Sequence, residues 1–177
     1  MLPTQGTRAA SSPTPGPVVL TPYDPAWPAR FARYRDAVLE VCAPWLTHIE
    51  HVGSTAVRGL GAKPVIDMMP ALRSHADGPR CAEAMAALGF EYMGAYGLER
   101  RHFYRRMDDC HAHMYVPGEG QWHAQLAFRD YLRANAPARE EYWQLKLALA
   151  TAHRDDRNAY SEAKSDFVAR VLALARG

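Results

Sequence analysis

One segment of the chain, residues 51–67, combines residue types that could hold a phosphate beside a metal ion. An apolar run ends at Gly53-Ser54, and a glycine-rich turn then leads through Lys63 to a second apolar run that carries Asp67. The pattern predicts a strand, a helix that begins at Ser54, and a neighbouring strand that presents Asp67. Free N–H groups at a helix start and a lysine can hold phosphate, and a carboxylate is a ligand for Mg²⁺. The alternative is an ordinary tight turn with Asp67 as a cap or ion-pair partner.

Two histidines, His111 and His113, are two residues apart in an apolar run that reads as a strand. Alternate residues of a strand share a face, so both imidazoles point the same way. Such a pair can bind a transition metal or orient a phosphate. The alternative is a pair of partly exposed histidines on an amphipathic strand.

A cluster of four arginines lies on and before another predicted strand. Alternation places Arg101 and Arg105 on one face, with Arg100 and Arg106 on the other. One face could therefore bind phosphate through bidentate hydrogen bonds, unless the run is only a solvated sheet face. Further along the chain, Lys146 and Lys164 follow Tyr142 and Tyr160 at helical spacing, and are interpreted as surface lysines, with a position in a cleft as the alternative.

The motif at residues 51–67, HVGSTAVRGLGAKPVID, resembles the signature of the GrpB family, which has a nucleotidyltransferase-like fold. Four further segments fit the family as well, at 100–106 (RRHFYRR), 111–113 (HAH), 128–135 (FRDYLRAN) and 160–167. The resemblance runs from about residue 18 to the C-terminus. It implies that Gly53-Ser54 holds the phosphates of a nucleotide and that Asp67 is the first metal carboxylate of the fold.

The sequence departs from the usual pattern of that fold at Met69. The fold has a second acid two residues after the first, on the same face of the strand. A methionine thioether does not bind Mg²⁺ usefully, and two-metal catalysis needs several oxygen ligands. Either the missing ligand comes from elsewhere, or one metal suffices, or the site binds without reacting.

The resemblance therefore implies a nucleotidyltransferase-like protein that binds a nucleoside triphosphate and a divalent metal. The expected metal is Mg²⁺ or Mn²⁺, with Zn²⁺ or Fe²⁺ as alternatives. The expected reaction is transfer of a nucleotidyl or phosphoryl group to a small acceptor. The expected catalytic residues are Asp67 and Lys63; the phosphate ligands are Gly53, Ser54, Lys63, Arg101 and Arg105; and the metal ligands are Asp67, His111 and His113. The alternatives are a catalytically degraded nucleotide-binding module and a metal-dependent enzyme of other chemistry built on the histidine pair. Members of the family also occur fused to dephospho-coenzyme-A kinase, which points to nucleotide or coenzyme metabolism by analogy only.

Composition is that of an ordinary globular protein. The chain has 177 residues, 48% hydrophobic and 23% charged, and a formal net charge of +2. Such a small charge does not favour non-specific nucleic-acid binding, and no run is long and apolar enough to span a membrane. Three scattered cysteines and the lack of a signal-like leader favour a reducing, cytoplasmic compartment, with each cysteine buried as a small hydrophobe.

The elements predicted around these residues form an α/β (α+β) domain over residues 18–177, preceded by a disordered tail at 1–17 that is rich in Pro, Gly, Ser and Thr. Hydrophobic periodicity predicts strands at 18–21, 49–53, 65–72, 90–93, 102–107 and 110–116. It predicts helices from the Asp24-Pro25 start to about Cys42, after residues 77–79, and in three stretches from Gln121 to the end. The expected architecture is a mixed sheet with helices, followed by a helical C-terminal part.

Overall fold

The computed structural model describes residues 17–107 and 109–176. Its helices are α1 (Trp27–Cys42), α2 (Ala82–Ala87), α3 (Trp122–Ala134), α4 (Ala136–Ala152), α5 (Arg157–Glu162) and α6 (Ser165–Leu174). Its strands are β1 (Leu46–Val52), β2 (Ile66–Leu72), β3 (Glu91–Tyr92), β4 (His102–Arg106) and β5 (Cys110–Met114). Single turns of 3-10 helix occur at Ser54–Ala56, His75–Asp77 and Pro79–Cys81.

The five strands form one mixed sheet in the order β1-β2-β5-β4-β3. β2 and β5 are parallel, and every other neighbouring pair is antiparallel. The parallel pairing aligns Asp67 with His111, and the β4–β5 pairing aligns Arg105 with His111 and Phe103 with His113. The sheet register therefore places the carboxylate, both histidines and an arginine side by side.

Alternation along the strands divides the core between the two faces of the sheet. Ile66, Met68 and Ala112 lie on the face that packs against α1 and α2, in the largest apolar cluster. On the opposite face, Met69 packs against Trp122 at the start of α3. The α1/α2 face is thus the principal core, and the opposite face carries the residues with chemistry.

The C-terminal helices form a second apolar cluster that receives the loop after the Ser54 turn. Val57 and Leu60 of this loop pack against Leu132 of α3, Tyr142 of α4 and Phe167 of α6. Because the loop that follows β1 is anchored in the helical part, the helices are held over the same end of the sheet as Asp67.

The predicted class, a mixed sheet with helices and a helical C-terminal part, is confirmed. The predicted strand at 18–21 is wrong: only Thr21 forms a β-bridge, to Ala62, and the N–H of Val18 donates to the carbonyl of Arg154 instead. This segment runs between two different partners, so it cannot extend a ladder with either one. The C-terminal part contains four helices rather than three, and the predicted tail at 1–17 lies outside the described residues except for Pro17.

The short helix predicted from Ser54 begins at that residue, but it is 3-10 rather than α-helical. The structure has a single 3-10 turn, Ser54–Ala56, because Val57 returns to an extended backbone (φ −106°, ψ 109°) where the loop docks on the helical part. A three-residue turn has almost no macrodipole, so the phosphate-binding argument loses this support. Among the described helices, none is long and apolar enough to cross a membrane.

Candidate metal and phosphate site

Asp67, His111 and His113 meet at the centre of the sheet. Oδ1 of Asp67 lies 3.2 Å from Nε2 of His113 and 3.5 Å from Nδ1 of His111. The three ligand atoms lie within 4.8 Å of one another, and all three side chains are partly exposed. Among the described residues, this is the one group of three or more such side chains that could surround a single ion.

The charge state of the cluster suits a cation. Burial disfavours the ionised form of Asp67, but the imidazoles of His111 and His113 outweigh it and hold the pKa of the carboxyl well below its usual range. Burial also lowers the pKa of His113 in spite of the neighbouring carboxylate. At neutral pH the cluster is therefore an ionised carboxylate beside a neutral imidazole, the protonation states in which both bind metals.

The contacts of His113 also set a condition on metal binding. Nη1 of Arg101 lies 3.4 Å from Nδ1 of His113, so the hydrogen-bond pattern assigns the ring proton to Nε2, which donates to Asp67. A metal on Nε2 would move that proton to Nδ1, where it would face the N–H of Arg101, so that two donors would point at each other. Metal binding at His113 therefore requires the Arg101 side chain to shift.

Gly53 lies directly against Asp67. A Cβ atom built on Gly53 would lie 2.6 Å from Oδ2 of Asp67, and Gly53 itself has φ +70°. Only glycine fits both this backbone and this close approach. The predicted Gly53-Ser54 turn thus shapes the carboxylate site through the absence of a side chain.

A cavity of about 320 Å³ opens beside this cluster, between the sheet and helices α3 to α6. Its lining includes Gly53, Ser54 and Asp67, all predicted as site residues. It also includes Lys63, Lys146 and Lys164, and we call it the lysine cavity. These are all the lysines of the chain, which otherwise uses arginine for its basic residues.

The three lysines differ in how their charges are held. Lys146 is 2% exposed and donates to the carbonyl of Gly61, and burial and then Lys164 lower its pKa to about 7. Burial and then Lys63 lower the pKa of Lys164 to about 8. The Lys164 ammonium lies 4.3 Å from the ring centre of Tyr160, and that of Lys63 lies 5.7 Å from it. Cations brought together in this way favour an anion between them. Asp67 is the one carboxylate among the described residues of the lining.

A second cavity of about 500 Å³ adjoins the first and shares Lys63, Val65 and His111 with it. Arg101 and Arg105 line this second cavity, which we call the arginine cavity, and neither lines the lysine cavity. The two arginines do share a face, as predicted, but the structure separates them from Gly53 and Ser54.

Met69, the position of the expected second acid, is fully buried against Tyr115 and Trp122. The residue paired with it on β1, Glu50, accepts a hydrogen bond of 2.7 Å from Arg129. That carboxylate is thus neutralised by an arginine. Arg129 also forms an ion pair with Asp130 at 2.7 Å.

Two other histidines of the sheet, His51 in β1 and His102 in β4, have structural contacts instead. His51 stacks on Phe31 with ring centres 4.4 Å apart, and burial lowers its pKa to about 4. Nδ1 of His102 lies 2.7 Å from the hydroxyl of Tyr92, and burial lowers its pKa. Neither belongs to the Asp67 cluster.

The interpretation of Lys146 and Lys164 as surface lysines is wrong, since Lys146 is buried and both line the lysine cavity. Tyr142 and Tyr160 line the cavity with them. The signal that could have identified these lysines is their rarity. Lysine occupies only three of the 21 basic positions of the chain, and its compact ammonium group is suited to phosphate.

The fold and the site define a mixed α/β protein with a carboxylate–imidazole cluster on its central strands and a basic cavity beside it. The chain belongs to the GrpB family: the family's sequence profile, described as GrpB protein, matches residues 17–174. The crystal structure of a conserved protein GrpB from Enterococcus faecalis superposes with a TM-score of 0.83 and 32% identity, covering 89% of this chain and 96% of that one. The predicted family membership is confirmed.

Two curated relatives show how far the similarity extends. A UPF0157 protein of Streptomyces coelicolor is 35% identical over 158 residues, which cover 88% of this chain and 83% of the relative. A dephospho-CoA kinase of Mycobacterium bovis is 27% identical over 158 residues, which cover 73% of this chain but only 39% of the kinase.

Proposed function

We propose that this protein binds a nucleoside triphosphate in the lysine cavity, with a divalent cation at Asp67, His111 and His113, and transfers a nucleotidyl or phosphoryl group to a small acceptor. The observation that carries the proposal is that every lysine of the chain lines one cavity beside the carboxylate–imidazole cluster. Phosphoryl chemistry needs such a pairing, since positioning and charge stabilisation supply most of the catalysis.

The donor set fits a cation such as Mn²⁺ better than Mg²⁺, because two of its three members are imidazoles. When bound, a divalent cation would polarise phosphate oxygens as a Lewis acid. The ammonium groups of Lys63 and Lys164 would neutralise charge on the phosphates, and the close approach of Gly53 fixes the position of Asp67.

In nucleotidyl transfer, an acceptor hydroxyl oxygen forms a bond to the α-phosphorus, and the bond from that phosphorus to the bridging oxygen of pyrophosphate breaks. Pyrophosphate leaves with the electron pair, and the hydroxyl proton passes to water. Phosphoryl transfer follows the same balance at the γ-phosphorus, with the nucleoside diphosphate as leaving group. Lys63 and Lys164 would stabilise the charge that develops on the leaving group in either case.

A second function, nucleotide binding without catalysis, is favoured by one observation. Met69 is buried where the fold usually has its second acid, and nearby Glu50 is paired with Arg129. Two-metal catalysis needs more oxygen ligands than Asp67 supplies. Turnover therefore separates the two functions, whereas nucleotide binding is common to both.

The scarcity of lysine allows a direct test. Trinitrobenzenesulfonate modifies accessible amines, and peptide mass spectrometry then reports Lys63, Lys146 and Lys164 separately. ATP with Mn²⁺ should slow the modification of Lys63 and Lys164, while adenosine, which lacks phosphates, should not. The same ligand should raise the melting temperature, since a hundredfold excess over Kd adds ~2.7 kcal/mol of stability.

Two variants of Lys164 complete the test. Lys164→Met should abolish the protection of Lys63, and Lys164→Arg, which keeps the charge, should retain it. The test uses all four common triphosphates at millimolar concentration, with either Mg²⁺ or Mn²⁺. Nucleotide binding would be excluded if none of them changed the rate of lysine modification or the melting temperature. Release of pyrophosphate or phosphate in the presence of a pool of small acceptors would distinguish the enzyme from the binding module.

A further inference from the structure

The arginine cavity is not used by the proposed nucleotide site. Its floor is the open face of β4 and β5, with Phe103, Arg105 and His113, and its wall is α5, with Arg157 and Ser161. It meets the lysine cavity at Lys63 and His111. A molecule in this cavity would therefore contact the cluster of Asp67, His111 and His113 from one side, and a nucleotide in the lysine cavity would contact it from the other.

The lining of this cavity is strongly basic. It contains Lys63, Arg101, Arg105 and Arg157, and no carboxylate of the described residues lines it. Glu91 contacts Arg105 at 3.4 Å, with 67% of the glutamate side chain exposed to solvent. An exposed pair of this kind is weak, so it leaves most of the charge of Arg105 available to a ligand.

Arg101 is the clearest sign that the cavity is built for an anion. It is 7% exposed, and its guanidinium donates to the carbonyl oxygens of Ala95 and Tyr96, at 3.1 Å and 2.6 Å. It lies 4.8 Å from the ring centre of Phe103, and among the described residues it has no carboxylate partner. A buried cation held only by neutral groups is costly, and an anionic ligand would offset that cost.

We propose that the arginine cavity binds the acceptor of the transfer reaction, and that this acceptor is a small organic anion. Arg101 and Arg105 bind its anionic group, and its nucleophilic end reaches the shared wall at Lys63 and His111. The role as acceptor rests on the proposed function, whereas the binding of an anion in this cavity does not.

The binding claim is tested with phenyl phosphate as the probe, by calorimetry, without nucleotide or metal. Arg105→Ala should weaken binding about tenfold or more, because it removes a charge-assisted hydrogen bond. Arg73→Ala, at an exposed arginine outside both cavities, is the control and should leave the affinity within about twofold. Equal affinity in Arg105→Ala and the wild type would overturn the proposal.

A second pair of variants avoids the sheet. Ser161 is exposed on α5 and lines the cavity. The carboxylate introduced by Ser161→Glu should repel the probe. The Ser161→Gln variant, whose glutamine has the shape of glutamate without its charge, should bind the probe normally. Equal binding by the two variants would also overturn the proposal, and both should melt close to the wild-type temperature.

A third measurement separates the two cavities. Phenyl phosphate should still bind to protein already saturated with Mn²⁺ and a non-hydrolysable ATP analogue. Arg105→Ala should weaken that binding as well, because Arg105, unlike Arg101, does not contact His113 through a hydrogen bond that metal binding would break. Competition with the analogue would place the probe in the lysine cavity and refute the second site. If the analogue fails to bind while the probe binds and responds to Arg105→Ala, the proposed function fails and the anion site stands.

Discussion

Oδ1 of Asp67 lies 3.2 Å from Nε2 of His113, although 46 residues separate them in the chain. The contact follows from the parallel pairing of β2 and β5, which aligns Asp67 with His111 and brings His113 onto the same face. Carboxylate and imidazole are thus preorganised by backbone hydrogen bonds rather than by flexible loops, as a metal or phosphate site requires.

If Asp67, His111 and His113 share one ion, they act as a unit. Asp67→Asn and His113→Ala should each lower Mn²⁺ affinity by more than about tenfold, and the double variant should lose little more than either single variant. Asp67→Asn keeps the shape of the side chain and removes the charge that attracts the cation. Mn²⁺ titration by electron paramagnetic resonance on tag-free protein measures the affinities.

His123→Ala is the matched control, since it removes an exposed imidazole from α3, away from the cluster. Its Mn²⁺ affinity should equal that of the wild type. Full Mn²⁺ binding by Asp67→Asn would show that the carboxylate has no part in metal binding and would favour its alternative role as an ion-pair partner.

The strand period was enough to predict that His111 and His113 share a face, because side-chain direction is a local property. Their contact with Asp67 was expected only from the family resemblance, since the register between β2 and β5 depends on the whole sheet. Lys146 was missed for a related reason. Helical spacing shows which residues share a face but not which face is covered, and α4 packs over the cleft only in the tertiary fold.

The Ser54 helix is short for a reason that local sequence contains only in part. Ser54 is a favourable residue at a helix start, and the glycines at 59 and 61 set the farthest point that the helix could reach. Val57 and Leu60 instead pack into the core of the C-terminal helices, and their burial ends the turn after three residues. Tertiary packing thus overrides local propensity at the predicted phosphate-binding turn.

The close approach of Gly53 to Asp67 predicts a specific defect. Gly53→Ala combines an unfavourable backbone with a Cβ atom 2.6 Å from Oδ2 of Asp67, so it should displace the carboxylate and lower Mn²⁺ affinity. Gly59→Ala is the control, because Gly59 also has positive φ (+82°) but the nearest atom to its Cβ, on Arg139, is 3.8 Å away.

We expect Gly53→Ala to lose roughly 1–3 kcal/mol more stability than Gly59→Ala, the cost of overpacking. Only Gly53→Ala should lose metal affinity. Urea denaturation and Mn²⁺ titration of both variants provide the comparison, and identical behaviour of the two variants would mean that the contact with Asp67 is unimportant.

Arg129 is predicted to be structural. Its side chain is 10% exposed and binds Glu50, Asp130 and the carbonyl of His51. Arg129→Ala should therefore lower the free energy of unfolding by about 2–3 kcal/mol, since it leaves charged partners without their donor. Arg170→Ala, which breaks the exposed pair with Glu141, should cost less than about 1 kcal/mol. A ligand role for Arg129 would instead appear as lost nucleotide affinity at unchanged stability.

The buried ammonium of Lys146 should make stability depend on pH. Burial and then Lys164 lower its pKa from 10.5 to about 7 in the folded protein, so between about pH 7 and 10 the unfolded chain binds more protons than the folded one. The free energy of unfolding therefore rises with pH across this window, by at most about 1.4 kcal/mol per pH unit. Below pH 7 the folded protein carries the full cost of the buried charge.

Lys146→Met removes this titration and keeps most of the side-chain volume. The difference in free energy of unfolding, wild type minus variant, should increase between pH 7 and pH 9, because the variant lacks the titration of Lys146. Urea denaturation at three or four pH values measures it. A difference that is constant over this range would mean that Lys146 keeps its ordinary pKa, with the ammonium group reached by water or by an anion in the lysine cavity.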